Sequence, residues 1–198
     1  MIRSVSESQS EILASIRQLH CPDGFEVDAT YGNGAFWNGT DEPKYKFDIT
    51  PLKEGVVEAD SRLLPLEANS IGSLVFDPPF LTYVKNGREH KGGAVAMTKR
   101  FGGYYRYEEL EDHYQESISE AYRVLRKGGK LVVKCQDIIH NHQMHPTHVK
   151  VIQWADMEGF RLVDLFVLAA KHRMPGPQKG TQRHARIFHS YFLVFKKI

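Results

Sequence analysis

The run Ile71-Gly72-Ser73-Leu74-Val75-Phe76 delivers Asp77-Pro78-Pro79-Phe80, and this junction constrains the chain more than any other. Two consecutive prolines donate no backbone N–H and hold φ near −65°. Each also keeps the residue before it out of the helical region. An apolar strand must therefore end in a stiff, extended tip. At such a tip the Asp77 carboxylate and the Pro78 carbonyl can point at one place, with the flat ring of Phe80 beside them. That is an acceptor pair suited to a planar –NH2 group whose ring stacks on Phe80, the shape of a nucleobase exocyclic amine. The tetrapeptide also reads as a strand ending in a rigid turn, with Phe80 in the core, because Asp-Pro commonly starts turns.

A second segment bears on that choice. Phe25-Glu26-Val27-Asp28-Ala29-Thr30-Tyr31-Gly32-Asn33-Gly34 reads as a short buried strand entering a glycine-rich turn. Gly32 and Gly34 permit positive φ and close approach of a ligand. A dinucleotide fingerprint wants a third small residue three places on, where helix packs on strand. Trp37 stands there, which argues against NAD or FAD and for a ligand without phosphates.

Asp28-Ala29-Thr30-Tyr31-Gly32-Asn33-Gly34 followed by Asp77-Pro78-Pro79-Phe80 resembles the class I S-adenosylmethionine-dependent methyltransferases. More narrowly, the pair is similar to the amino-methyltransferases of adenine N6 or cytosine N4. The resemblance spans roughly the first half of the chain, and the second half agrees in pattern only. It departs from the family in its first motif, often Phe-x-Gly-x-Gly, which here reads Thr30-Tyr31-Gly32-Asn33-Gly34. The resemblance implies S-adenosyl-L-methionine as cofactor, with S-adenosyl-L-homocysteine left after transfer. It places Asp28, Ala29, Thr30, Tyr31, Gly32 and Gly34 at the cofactor, Asp48 at its ribose and Asp60 beside its adenine. It places Asp77, Pro78, Pro79 and Phe80 at the target amine. An aspartate opening the second motif leans toward adenine N6 in DNA, since serine is commoner in cytosine N4 enzymes and asparagine in many RNA enzymes. An RNA base methyltransferase (adenine N6 or guanine N2) is the alternative. A cofactor-holding nucleic-acid module without catalysis is a third reading, and the intact acceptor pair speaks against it.

The periodicity supports an α/β reading. Helical patterns begin at Ser8-Gln9-Ser10-Glu11 and cover 107–126 and about 146–158, with Gly128-Gly129 ending the second. Strand patterns fall at about 25–29, 45–49, 55–60, 71–76, 130–135, 160–169 and 188–196. Strands alternating with helices imply a Rossmann-like, doubly wound, mainly parallel sheet of seven strands, helices on both faces and the last strand antiparallel. Ligands bind such sheets beyond the carboxyl ends of the strands. The loops after Asp28, Asp48, Asp60 and Asp77 all leave that edge, though a single aspartate at a strand end is an ordinary turn residue.

The 198 residues suffice for one domain, with no separate target-recognition domain. Segments 81–106 and 171–187 read as substrate-facing loops. The first carries Lys85, Arg88, Lys91, Lys99, Arg100 and Arg106 against one acid, Glu89, together with Tyr83, Phe101, Tyr104 and Tyr105. The second carries Lys171, Arg173, Lys179, Arg183 and Arg186 with no acid. Cations that hold phosphates and rings that stack on bases suit nucleic acid, DNA before RNA. Lys85, Arg88, Lys99, Arg100, Tyr104, Arg173, Lys179, Arg183 and Arg186 are the candidates. The same runs also suit solvated loops with no partner. A net charge of +2 decides nothing by itself. Sequence specificity would then come from the first loop or from a partner subunit, or be low; a partner subunit or a homodimer is the expected assembly.

His140, His142, His145 and His148 fall within nine residues, but their spacing matches no structural zinc pattern, and no metal is expected. They read as a polar loop followed by a helix start. Two widely spaced cysteines, Cys21 and Cys135, argue against a disulfide framework; with no signal-peptide pattern and no membrane-spanning run they point to a cytoplasmic setting away from membranes.

Overall fold

Side chains alternate across a strand, and the central strand of this protein buries both of its faces. In a computed structural model that describes residues 1–80, 82, 104, 106–170 and 181–198, Leu74 and Phe76 enter one apolar cluster and Val75 enters another. The same alternation separates Leu131 and Val133 from Val132.

The elements run in the order β1 (Val5–Ser6), α1 (Gln9–His20), β2 (Val27–Asp28), a short 3₁₀ turn (Ala35–Trp37), β3 (Tyr45–Asp48), β4 (Val57–Glu58), β5 (Ile71–Phe76), α2 (Tyr107–Val124), β6 (Leu125–Cys135), β7 (Ile138–His140), β8 (Gln143–His145), α3 (Thr147–Glu158), β9 (Phe160–Ala169) and β10 (His189–Lys197). The main sheet has the order β1-β9-β10-β6-β5-β2-β3-β4. Neighbours from β4 to β6 pair in parallel, and β10 runs antiparallel to both β6 and β9. α1 covers one face through Ile12, Leu13 and Ile16. α2 and α3 cover the other through residues such as Leu110, Ile118, Val151 and Ala155. Helices therefore lie on both faces.

Four sequence expectations need correction. The sheet has eight strands, not seven, because Val5 and Ser6 pair with Val167 and Leu168; two residues carry no alternation to detect. The connections between β2, β3, β4 and β5 contain no α-helix. Gly32, Gly34, Gly39 and Gly55 all take positive φ there, which breaks any helical run. α2 stops at Val124, where Leu125 turns extended at ψ 135°, so Gly128 and Gly129 sit inside β6 and do not end the helix. Between Ile71↔Leu125 and Ser73↔Lys130 the register shifts and the strand bulges, with Gly128 at φ 81°. Finally, 138–145 is a hairpin, not a polar loop. Asn141 and His142 occupy its turn at φ 49° and 59°, the backbone of a two-residue primed turn.

Chain order reverses between β2 and β5: β3 and β4 extend the sheet one way, β6 the other. Such a switch point opens a crevice at the carboxyl ends of its two strands. The loops after Asp28 and Asp77 flank it.

Candidate active site

β2 ends on Asp28, which is 1 % exposed. Its Oδ1 accepts the Thr30 N–H at 2.8 Å, and its Oδ2 accepts the Trp37 indole N–H at 2.6 Å. Burial pushes the Asp28 carboxyl up to about 7 against both hydrogen bonds, with the nearby Asp77 and Asp48 charges adding to the rise. Trp37, 2 % exposed, thus serves as the donor that fixes the carboxylate.

The two glycines of the turn differ in what they accommodate. Gly34 stands at φ 76°, and a Cβ there would meet Tyr31 Oη at 2.6 Å and Lys53 Nζ at 2.8 Å. Its requirement comes from the protein's own packing. Gly32 stands at φ 57° with nothing within 4 Å of a Cβ. Its N–H donates to Asp48 Oδ2 at 2.7 Å, while Thr50 N–H donates to Oδ1 at 2.8 Å. Asp48, half-buried at the end of β3, is thereby aimed at the open side of the turn. Ala29 and Tyr31 are core residues. The Tyr31 hydroxyl donates to Glu42 Oε1 at 2.7 Å, so the two can meet a ligand only through backbone.

Asp77 follows β5 by one residue. Its N–H donates to Thr30 Oγ1 at 2.8 Å, and the Thr30 hydroxyl faces Asp28 Oδ1 at 3.4 Å. The two motifs are therefore joined. The Asp77 side chain is 22 % exposed, with Oδ1 on its buried side and without a hydrogen-bond partner among the described residues. Oδ2 pairs with Lys134 Nζ at 3.5 Å. Burial raises the proton affinity of Asp77 and Lys134 opposes the rise. Pro78 is buried, while Pro79 and Phe80 remain half-exposed and Phe80 leans on the core.

Two assignments move. Asp60 is engaged on both oxygens by Arg62, at 2.9 and 2.6 Å. These bonds hold its carboxyl down at about 2. Arg62 continues to Glu116 on α2 at 3.1 Å, so the Asp60 carboxylate locks a loop to a helix. Tyr104, expected at the nucleic-acid face, turns inward: its hydroxyl bonds His113 Nδ1 and its ring packs on the core. Burial is the stronger demand for an aromatic ring beside an apolar helix face. His113 Nε2 and Ser61 Oγ lie 2.8 Å apart. Arg183 and Arg186 are exposed. Lys85, Arg88, Lys99, Arg100, Arg173 and Lys179 lie outside the described residues.

Sequence reasoning missed two participants, Lys134 and Gln9, and one polar pair away from them, Asp137 and His148. Lys134 carried a signal, as a lone cation inside Leu131-Val132-Val133-Lys134-Cys135. Gln9 carried none. Asp137 and His148 are paired at 2.7 Å, with the His148 ring stacked on Tyr191 at 4.2 Å. Only the fold brings 137, 148 and 191 together. Among the described residues no group of three or more His, Cys, Asp or Glu could hold a metal ion, and no helix is long and apolar enough to cross a membrane. Cys21 and Cys135 are free and buried.

No protein-family model matches the chain, and no curated protein matches it by sequence. Similarity appears among solved structures. A SAM-dependent methyltransferase of Thermotoga maritima shares 15 % identity over 96 % of this chain and 90 % of its own, at a TM-score of 0.52. The [4+2]-cyclase SpnF shares 13 % over 95 % and 81 %, at 0.54. A candidate DNA modification methylase of Thermus thermophilus shares 21 % over 70 % of this chain at 0.47. This chain spans about half the length of that protein (52 %). A fold shared by a methyltransferase and a cyclase does not by itself choose a reaction. The chain has the Rossmann-like α/β fold of the Thermotoga methyltransferase and of SpnF, with its candidate site at the switch point between β2 and β5.

Proposed function

We propose that this protein transfers a methyl group from S-adenosyl-L-methionine to an exocyclic amine of a nucleobase, with adenine N6 in DNA the favoured target. The observation that carries the reading is Asp77 Oδ1, a buried acceptor without a donor at the tip of β5. A buried acceptor left unpaired costs about 1–3 kcal/mol, and an amine donor removes that cost.

The crevice fits the cofactor. Gly32 leaves open space where any side chain would intrude. Each Asp48 oxygen takes one backbone N–H and keeps acceptor capacity for ribose hydroxyls. When bound, the cofactor supplies an electrophilic methyl group on a sulfonium. Asp77 Oδ1 and the Pro78 carbonyl hold the two amine hydrogens and Phe80 stacks on the base. This would draw the nitrogen lone pair out of conjugation and turn it toward the cofactor held at the glycine turn. As the N–C bond forms the amine turns acidic, and the raised proton affinity of Asp77 suits it to receive the proton. A base in a duplex must be flipped to reach this tip. The exposed Arg183 and Arg186 supply phosphate contacts. In this reading one domain carries the reaction, and target selection falls to segment 81–106, a partner subunit or a second copy.

The test is methyl transfer from labelled S-adenosylmethionine to DNA and RNA in parallel, with mass analysis of the nucleosides. Label in N6-methyladenine from DNA is expected, and Asp77→Ala should abolish it while cofactor binding survives. Label only in RNA would move the target to an RNA base. Cofactor binding with no label in either would overturn transfer to nucleic acid.

A further inference from the structure

Resting on that reading, we propose that Lys134 and Gln9 are positioning residues that divide the Asp77 carboxylate between two tasks. Lys134 holds Oδ2, and Oδ1 is left for the substrate amine. Lys134 lies in β6, one strand over from Asp77, with its side chain 13 % exposed. Its ammonium stands 3.5 Å from Asp77 Oδ2 and 3.0 Å from Gln9 Oε1. Three rings surround it: Phe36 at 5.3 Å, Phe192 at 5.6 Å and Phe80 at 6.0 Å. A cation within about 6 Å of a ring face is attracted to it.

Gln9 is the first residue of α1, and its amide is used at both ends. Nε2 donates to the Phe36 carbonyl at 2.7 Å, while Oε1 accepts Lys134. An amide flip would break both bonds, which fixes the orientation. The chain Phe36–Gln9–Lys134–Asp77 thus ties the end of the glycine turn to the acceptor tip. Titratable groups facing Asp77 are Asp28 on β2, Tyr114 on α2, and Cys135 and Lys134 on β6. Among the described residues Lys134 is the one cation in that set. Removing one partner of a poorly solvated pair leaves the other charge uncompensated. Without Lys134 the carboxylate would hold a proton more tightly, and a protonated oxygen is a poorer acceptor for an amine hydrogen.

The experiment follows the Asp77 carboxyl carbon by pH titration in the ligand-free protein, using Asp-labelled protein and Asp77→Asn for assignment. Lys134→Met keeps length and suits the rings; its Asp77 midpoint should rise by at least about one pH unit. Lys134→Arg should restore most of the wild-type value, and Gln9→Ala should shift it the same way by less. In parallel, Lys134→Met should lose kcat at neutral pH by about tenfold or more and regain it as pH rises, with the cofactor KM little changed. An unchanged midpoint in both Lys134→Met and Gln9→Ala would overturn the proposal. Should the midpoint move while the wild-type protein methylates nothing, the functional reading fails and the Lys134–Asp77 coupling stands.

Discussion

Asp77 donates its backbone N–H to Thr30 Oγ1 at 2.8 Å, so the tip of β5 hangs on a hydroxyl of the glycine turn. Thr30→Val keeps the shape and removes the acceptor. We expect a loss of about 1–3 kcal/mol in unfolding free energy and a larger proportional loss of methyl transfer. Thr30→Ser should recover most of both. Urea unfolding together with kcat/KM checks this, and a Val variant indistinguishable from wild type would remove the hydroxyl from the argument.

Gly32 and Gly34 should respond differently to alanine. Both sites strain an L-residue at positive φ by about 1–2 kcal/mol. At Gly34 the added Cβ also meets Tyr31 Oη, so Gly34→Ala is expected to destabilise the fold more. At Gly32 the Cβ enters open space, so Gly32→Ala should weaken cofactor affinity out of proportion to its effect on stability. Calorimetric cofactor titrations beside thermal melts separate the two; equal effects at both positions would contradict the open cradle.

Asp28 and His113 push stability in opposite directions with pH. Burial lowers His113 to about 4, with the Arg62 charge assisting. Below its ordinary 6.5 the unfolded chain takes up a proton that the fold refuses, so stability is lost as pH falls from 6.5 toward 4. Asp28, raised to about 7, keeps a proton that the unfolded chain releases, so stability is lost as pH rises from about 4 to 7. Each contributes on the order of 2–3 kcal/mol across its window. Relative to wild type, Asp28→Asn should gain stability with rising pH and His113→Gln should lose less on acidification. Urea midpoints from pH 4.5 to 7 would read this, and parallel profiles would refute it.

Replacing Arg183 and Arg186 by Gln should weaken DNA binding without harming the fold, since both are exposed. The slope of log K against log salt should shrink by about one to two. An unchanged slope would take these two side chains out of the nucleic-acid face.

Elements with strong local signals were legible in the chain. Ile71–Phe76 and Phe160–Ala169 have the bounds their apolar patterns implied, and α2 starts at Tyr107 as its periodicity required. What failed was weak or ambiguous locally. Val5-Ser6 becomes a strand only because Val167 and Leu168 offer an edge. Leu125 and Arg126 continued a helical pattern with Gly128-Gly129 as its stop, until pairing with β5 claimed the whole run for a strand. Tyr104 looked like a surface ring among cations, and His113 with the core drew it inward.

The candidate site divides in the same way. Sequence alone determined the rigidity of Asp77-Pro78-Pro79-Phe80, the flexibility at Gly32 and the exclusion of a third small residue by Trp37, because these follow from single-residue stereochemistry. Tertiary structure decided which carboxylates remain available. Asp60 is consumed by Arg62, Asp28 by Trp37 and Thr30, and Asp77 keeps one oxygen without a partner because Lys134, itself held by Gln9 125 residues away, takes the other. Hydrogen-bond partners are chosen by distance in space, and a strand-and-helix chain brings its ends together only when the sheet is assembled.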